Sequence, residues 1–235
     1  SLLHPYPFEK LSQLLEGVTA PDKPLIALSL GEPKHPAPGF IVDLANNYES
    51  IESSFGTYPP TRGITELRFA IAAFVTRRNK LNKNINPETE VLPVTGTREA
   101  LFAFAGCIVD GSETAITMMP NPFYQIYEGA ALLAGAEPYY LNSTADNNYC
   151  PDFDSIPSDI LERCQLFFIC SPGNPSGSVL GQSDHEKLIA LAQRYDFVIA
   201  SDECYSEIYA DENRPPQGLL QTAFTLGNKT FDRCV

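Results

Sequence analysis

An amide, a carboxylate and a phenol stand at a spacing that could do chemistry. Asn174 lies in Ser-Pro-Gly-Asn-Pro-Ser-Gly (171–177); 28 residues later comes Asp202 in Ser-Asp-Glu-Cys-Tyr, with Tyr205 three further on. A carboxylate can pair with a protonated ring nitrogen, while an amide and a phenol can hold an oxygen of the same ring. The set suits a polar, ring-shaped cofactor. Each motif directly follows a short apolar run, Leu-Phe-Phe-Ile-Cys at 166–170 and Phe-Val-Ile-Ala at 197–200. Between them Ser183 and Glu186 have the spacing of a capping box that opens a helix. Strand, loop, helix, strand is a βαβ unit, and open α/β sheets bind ligands at the carboxyl ends of their strands.

Each candidate also has a plainer role. Asp202 should be partly buried after its apolar run, where a carboxylate needs a partner; that partner is a protonated ring, or the residue caps a helix through Ser201, Asp202 and Glu203. Tyr124 follows Asn121, Pro122 and Phe123 at another strand end, and either stacks on a ring or fills the core. Gly96, Thr97 and Arg98 lie where a strand turns into a helix. Open N–H groups and the helix dipole favour an anion such as phosphate there, although a plain βα turn has the same residues. Tyr58, in the turn-rich Gly-Thr-Tyr-Pro-Pro-Thr-Arg-Gly, either covers apolar surface or meets a ligand. His4, His35 and His185 form no metal set, and His185 is expected in solvent on the first turn of its helix. No dinucleotide fingerprint or Walker A sequence is present, and Ser176 is not in a nucleophile elbow.

The elements that must position these residues alternate along the chain. The spacing predicts a helix over 64 to about 80, with Leu67, Ile71, Phe74 and Val75 on one face. A strand is expected over 91–95, then a helix starting near 98. A further strand covers 114–119, after which Asn121 is expected to cap a helix with Pro122 at its first position. That helix should stop at Gly135 in a left-handed cap, before a strand over 138–141. Alternation of this kind predicts an α/β fold with a mainly parallel sheet and helices on both faces. Residues 231–235 read as the start of one more strand, so the chain reads as truncated within it.

Composition limits the classes. With 235 residues, 43% hydrophobic and 19% charged, the chain can bury a real core. A net charge of -13 argues against a nucleic-acid partner. Six cysteines without a Cys-x-x-Cys pair suggest free thiols in a reduced, cytoplasmic protein, with Cys170 and Cys204 as packing residues. No apolar run reaches membrane length.

Taken together, these segments resemble the fold-type I pyridoxal-phosphate aminotransferases of class I/II, over nearly the whole chain. Tyr58, Gly63, Leu67 and Arg68 match a Tyr…Gly…Leu-Arg pattern, and Gly96, Thr97 and Arg98 match the phosphate-binding turn. Tyr124 in Asn-Pro-Phe-Tyr matches the ring-stacking aromatic. Asn174 to Gly177 match Asn-Pro-x-Gly, and Asp202 with Tyr205 matches Asp-x-x-Tyr. Ser-Leu-Gly-Glu-Pro-Lys-His-Pro-Ala-Pro (29–38), with His-Pro-Tyr-Pro-Phe-Glu-Lys-Leu and Pro-Phe-Tyr-Gln-Ile-Tyr-Glu-Gly-Ala, is similar to a narrower group, the N-succinyl-diaminopimelate aminotransferases.

The resemblance implies pyridoxal 5′-phosphate as cofactor and amino-group transfer between glutamate/2-oxoglutarate and N-succinyl-LL-diaminopimelate or its 2-oxo precursor, in lysine biosynthesis. It leaves open another class I aminotransferase, for aspartate or alanine, a related lyase, or a non-catalytic cofactor-binding fragment. It implies that Asp202 keeps the pyridine nitrogen protonated, Asn174 and Tyr205 bind the 3′ oxygen, Tyr124 fixes the ring plane, and 96–98 hold the phosphate. Tyr58 would reach the cofactor of a second subunit in a homodimer, and Gly31 and Asn174 would meet the substrate. Residues 1–45 would form an N-terminal arm with part of a small domain, and 46–235 an incomplete cofactor-binding domain. The Schiff-base lysine is expected beyond Val235, because Lys229, the only lysine after Tyr205, lacks its sequence context. The chain alone is therefore expected to be inactive.

Overall fold

One strand is apolar on both faces, and this dictates what surrounds it. Along Cys164–Cys170, Leu166 and Phe168 enter one apolar cluster, while Phe167 and Ile169 enter another. Side chains alternate across a strand, so such a run must be covered on both sides. The computed structural model describes residues 3–19, 22–24, 26, 28, 31, 34–112 and 114–235. Ser29, Leu30, Glu32 and Pro33 of the 29–38 motif lie outside the described residues.

Two compact units are present, Leu3–Thr61 and Arg62–Val235. The smaller holds helices α1 (Pro7–Leu15), α2 (Gly39–Ala45) and α3 (Tyr48–Ser54). The larger begins with α4 (Thr65–Arg78), α5 (Thr97–Ile108), β1 (Ile116–Asn121), α6 (Ile126–Ala134) and β2 (Glu137–Asn142). It continues with α7 (Ser158–Arg163), β3 (Cys164–Cys170), α8 (Gln182–Tyr195), β4 (Val198–Asp202) and α9 (Leu219–Thr225). The strands form a parallel sheet in the order β2-β1-β3-β4. Helices α5 and α6 cover one face, packing Ala105, Tyr127, Ala130 and Ala131 against Met119, Leu166, Phe168 and Ala200. Helices α8 and α9 cover the other, packing Leu188, Ile189, Ala192, Leu219 and Ala223 against Met118, Phe167, Ile169 and Ile199. This is the α/β architecture expected from the alternation. Among the described residues, no helix is long and apolar enough to cross a membrane.

The strand expected over 231–235 is reduced to a single bridge, Cys234 opposite Ile199, preceded by a turn. Ile199 N donates to Arg233 O at 2.8 Å, Val235 N to Ile199 O at 3.0 Å, and Ser201 N to Val235 O at 2.7 Å. These bonds make a parallel pairing on the outer edge of β4. Gly135 caps α6 with φ 92°, as its position predicts.

Several local expectations are corrected. Residues 91–95 join no strand pairing among the described residues. Pro93 has no N–H to give a ladder, and it lies against Gly63 instead, where a Cβ would stand 2.7 Å from its Cγ. Asn121 does not cap a helix: it ends β1, and its amide donates across the ladder to Asn142 Oδ1 at 2.8 Å. The helix starts only at Ile126. Helix α8 begins at Gln182, and the bond closing its first turn runs from Gly181 N to Asp184 Oδ2 (2.9 Å), not between Ser183 and Glu186.

Helix α4 buries Arg68 and Ala72 and leaves Leu67 and Phe74 exposed. The Arg68 guanidinium draws that face inward by donating to Gly63 O at 3.1 Å and Glu88 Oε1 at 2.7 Å. His185 is fully buried rather than solvated. Positions 185, 188, 189 and 192 form one helical stripe, so it shares the face of Leu188, Ile189 and Ala192. Cys204 is exposed, whereas Cys164 and Cys234 are the buried thiols.

Candidate functional site

The strand order reverses between β1 and β3, and the segments after these two strands carry Tyr124 and Asn174. Such a reversal opens a crevice at the carboxyl ends, where α/β sheets bind ligands. The next strand, β4, ends on Asp202 itself.

Asp202 is buried, with two donors on its carboxylate. Tyr127 OH donates to Oδ2 at 2.7 Å, and Cys204 N donates to Oδ1 at a longer 3.3 Å. The segment after it is a turn rather than a helix, so capping takes up only the weaker bond. The same turn carries Tyr205, and Asn174 Nδ2 donates to Tyr205 OH at 3.5 Å. The amide and phenol thus meet beside the carboxylate. Burial, then the neighbouring Cys204, Cys170 and Asp202, push the Tyr205 phenol above its ordinary range, keeping it protonated at neutral pH. Burial, then Asp202, raises the half-buried Cys170 thiol, and burial of the Cys204 sulfur within an otherwise exposed residue, then Asp202, raises that thiol to about 12.

A second group adjoins through Tyr124. Its hydroxyl accepts from Arg98 Nε at 3.0 Å, and its ring meets Tyr127 edge-on at 6.0 Å. Arg98 lies in the first turn of α5, whose N-cap is Gly96 at φ 101°, a conformation that suits glycine. No side-chain hydrogen bond caps this helix start, and the Glu99 carboxylate of its first turn would stand 3.1 Å from a Cβ on Gly96; a helix start of this kind favours an anion. Arg98, Tyr124, Tyr127, Asp202, Tyr205 and Asn174 form a string of neighbours with Gly96 and Thr97 at one end. The string runs from the exposed Arg98 through the buried Tyr127 and Asp202 to the exposed Tyr205. A cavity of about 20 Å³ behind Asn174, lined also by Cys170, Gly173 and Ser176, has room for little more than one water.

The remaining predicted residues stand elsewhere in the chain. Tyr58 and Gly31 belong to the Leu3–Thr61 unit, where the Tyr58 side chain is exposed and the space around Gly31 is open. Lys229 is on the turn that feeds the pairing of 233–235 with Ile199, whereas Asp202 closes the carboxyl end of β4. Sequence reasoning missed Tyr127. Its signal was the three-residue step from Tyr124, which has meaning only once both residues are placed at the start of α6.

Comparison with known proteins gives a consistent picture. A family model, aminotransferase class I and II, matches residues 23–227. An LL-diaminopimelate aminotransferase of Dehalococcoides mccartyi is 34% identical over 214 residues, covering 91% of this chain and 54% of the relative. One from Aquifex aeolicus is 33% identical, covering 92% and 54%. Among solved structures, an aminotransferase from Neisseria meningitidis superposes with a TM-score of 0.85 at 44% identity, over 96% of this chain and 56% of that one. The aminotransferase AspB from Helicobacter pylori gives 0.89 at 35%, over 100% and 59%. The chain spans about half the length of the curated relatives it matches. By its matched span, its parallel sheet and these likenesses, this chain belongs to the class I and II aminotransferases.

Proposed function

We propose that this chain is the cofactor-holding half of a pyridoxal-phosphate-dependent aminotransferase. The observation that carries the reading is the buried Asp202 at the end of β4, with the Asn174–Tyr205 pair beside it. The residues fit the group. Asp202 Oδ1 accepts a long 3.3 Å backbone bond and, as a carboxylate oxygen, can also accept from a ring N–H; the helix start at Gly96, without a side-chain cap bond, suits a phosphate. When bound, pyridoxal phosphate supplies a protonated ring that takes up the electron pair released at a substrate α-carbon.

The chain's own groups have separable tasks. Asp202 holds a proton at the ring nitrogen. Asn174 and Tyr205 donate to the 3′ oxygen, and Tyr124 lies against the ring plane. The N–H groups of Thr97 and Arg98, with the Arg98 guanidinium, hold the phosphate. Gly31 and Asn174 serve the substrate, and Tyr58 serves the site of a second copy in a homodimer. Residues 1–45 act as arm and part of a small domain, and 46–235 as the cofactor domain. The lysine that carries the cofactor covalently is not Lys229, so the chain alone binds without a covalent bond and does not turn over. The protein works in the cytoplasm.

For substrate, the 29–38 motif supports N-succinyl-LL-diaminopimelate with glutamate/2-oxoglutarate. The names of the curated relatives favour a second reading, unsuccinylated LL-diaminopimelate. Equilibrium dialysis of the purified chain with pyridoxal 5′-phosphate tests the cofactor. Reversible binding that leaves no covalent adduct on Lys229 after borohydride treatment and dialysis is expected; a stoichiometric Lys229 adduct, the reduced imine, would reverse the lysine assignment. Assaying a full-length enzyme with both diaminopimelate forms against aspartate and alanine separates the substrates.

A further inference from the structure

Tyr127 is the largest polar side chain enclosed by the core on the α5/α6 face. Its ring is completely buried, stacked on Phe168 at 4.8 Å and 11°, and edge-on to Tyr124 at 6.0 Å and 89°. Packing alone would be served as well by phenylalanine. The hydroxyl is different: in this apolar layer it needs a partner, and it donates to Asp202 Oδ2 at 2.7 Å.

That geometry acts on both partners. A donor on one carboxylate oxygen fixes the plane of the group. The second oxygen accepts the longer 3.3 Å bond from Cys204 N. The rings fix Tyr127 in turn, because its stacking on Phe168 leaves it no alternative packing. Burial and the Asp202 charge push the phenol far above its ordinary range, so it is a donor at every working pH.

We propose that Tyr127 is a positioning residue that acts through Asp202 on the ring nitrogen of the cofactor, and through Tyr124 on the plane of the ring. The role rests on the proposed cofactor and extends that reading to a residue that touches neither cofactor nor substrate.

The test is binding, not turnover. Purified chain and its Tyr127→Phe variant are dialysed against pyridoxal 5′-phosphate and against its 1-deaza analogue, in which carbon replaces the ring nitrogen. The unmodified chain should prefer the pyridine, and Tyr127→Phe should weaken pyridoxal phosphate about tenfold. The 1-deaza compound should bind the two proteins within about twofold. In an Asp202→Asn background, Tyr127→Phe should add nothing. Equal loss for both compounds would mean packing only, and no loss for the pyridine would remove the role. If the unmodified chain shows no preference for the pyridine, the cofactor reading itself fails and this role goes with it. Phe168→Leu, which keeps the hydroxyl but removes its ring support, is a second variant should Tyr127→Phe not fold. It should reduce the preference about threefold, and an unchanged preference would overturn the positioning argument.

Discussion

Asp202 and Glu203 are neighbours in sequence that serve opposite faces of the sheet. Asp202 turns to α6 and takes the Tyr127 hydroxyl. Glu203 turns to α9, where its Oε1 accepts from Leu219 N at 2.8 Å and from Ser201 Oγ at 3.0 Å. Glu203 is thus a remote cap for α9, an anion at a helix start. Its carboxyl is raised by burial, partly offset by the Leu219 and Ser201 bonds and the Arg78 charge. The difference separates a carboxylate used to hold the fold from the one proposed to bind. In Glu203 one oxygen takes both structural donors; in Asp202 they are split, the Tyr127 hydroxyl on one oxygen and the longer Cys204 N bond on the other.

The sharpest way to break this contrast is to exchange the variants. Asp202→Asn should lower affinity for pyridoxal 5′-phosphate about 100-fold, through loss of a charge-assisted bond, with little change in urea stability. Glu203→Ala should do the reverse, leaving affinity within about threefold while removing about 1 kcal/mol of stability, the loss expected for a cap. If both variants moved affinity equally, the division of labour would be wrong.

The Glu203 face also contains the buried imidazole, so pH should act on that half. Burial lowers His185 to about 4 from its ordinary 6.5, and its Nδ1 lies 3.4 Å from Thr222 Oγ1. The unfolded chain therefore takes up a proton first as pH falls. Stability is full above about 6.5 and declines toward pH 4, by about 2 kcal/mol at pH 5. His185→Leu should flatten that slope in urea titrations at pH 7 and 5, and an unchanged slope would place the acid sensitivity elsewhere.

How much of the fold and the site is legible in the sequence depends on which physics decides each feature. The placing of Asn174, Asp202 and Tyr205 beside one another is legible because each lies within five residues of the end of an apolar run, and strand ends in parallel sheets bring the residues beyond them together. Gly96 and Gly135 are legible because backbone conformation alone selects them. Tyr127 and His185 are not, since tyrosine and histidine fit both wet and buried faces and only the neighbouring element chooses. The strand expected at 91–95 fails because pairing requires a distant partner, which local alternation does not reveal. Caps are misplaced by a residue or two because Asp184 and Glu186 offer the same chemistry to adjacent turns.

A narrower test of the Glu203 region is steric. A Cβ on Gly218 would stand 2.3 Å from Asn79 Oδ1 and 2.8 Å from Glu203 Oε2. Both groups are held, Asn79 by its 3.1 Å bond to Val75 O and Glu203 by its helix cap. Gly218→Ala should therefore destabilise by about 1–2 kcal/mol. Pyridoxal phosphate affinity should stay within about twofold, because the strain is on the far face. A matching loss of affinity would show that the two faces are coupled through β4.

The smallest effect is the most diagnostic for charge. Asn79 Oδ1 is buried without a partner, and the Gly218 geometry places Glu203 Oε2 near it. A raised carboxyl favours the protonated form in the fold, so its contribution is complete below the ordinary 4.5 and is lost as pH rises through the folded value. This slope is opposite in sign to that of His185. Glu203→Gln keeps an acceptor for Leu219 N and adds a permanent N–H for Asn79. It should be neutral or stabilising by less than about 1 kcal/mol at pH 7, with no gain at pH 4. Urea midpoints at the two pH values decide it: if Glu203→Gln weakens the fold at pH 7 as much as Glu203→Ala does, then the negative charge itself holds α9, and the carboxylates of 202 and 203 do the same work on two faces.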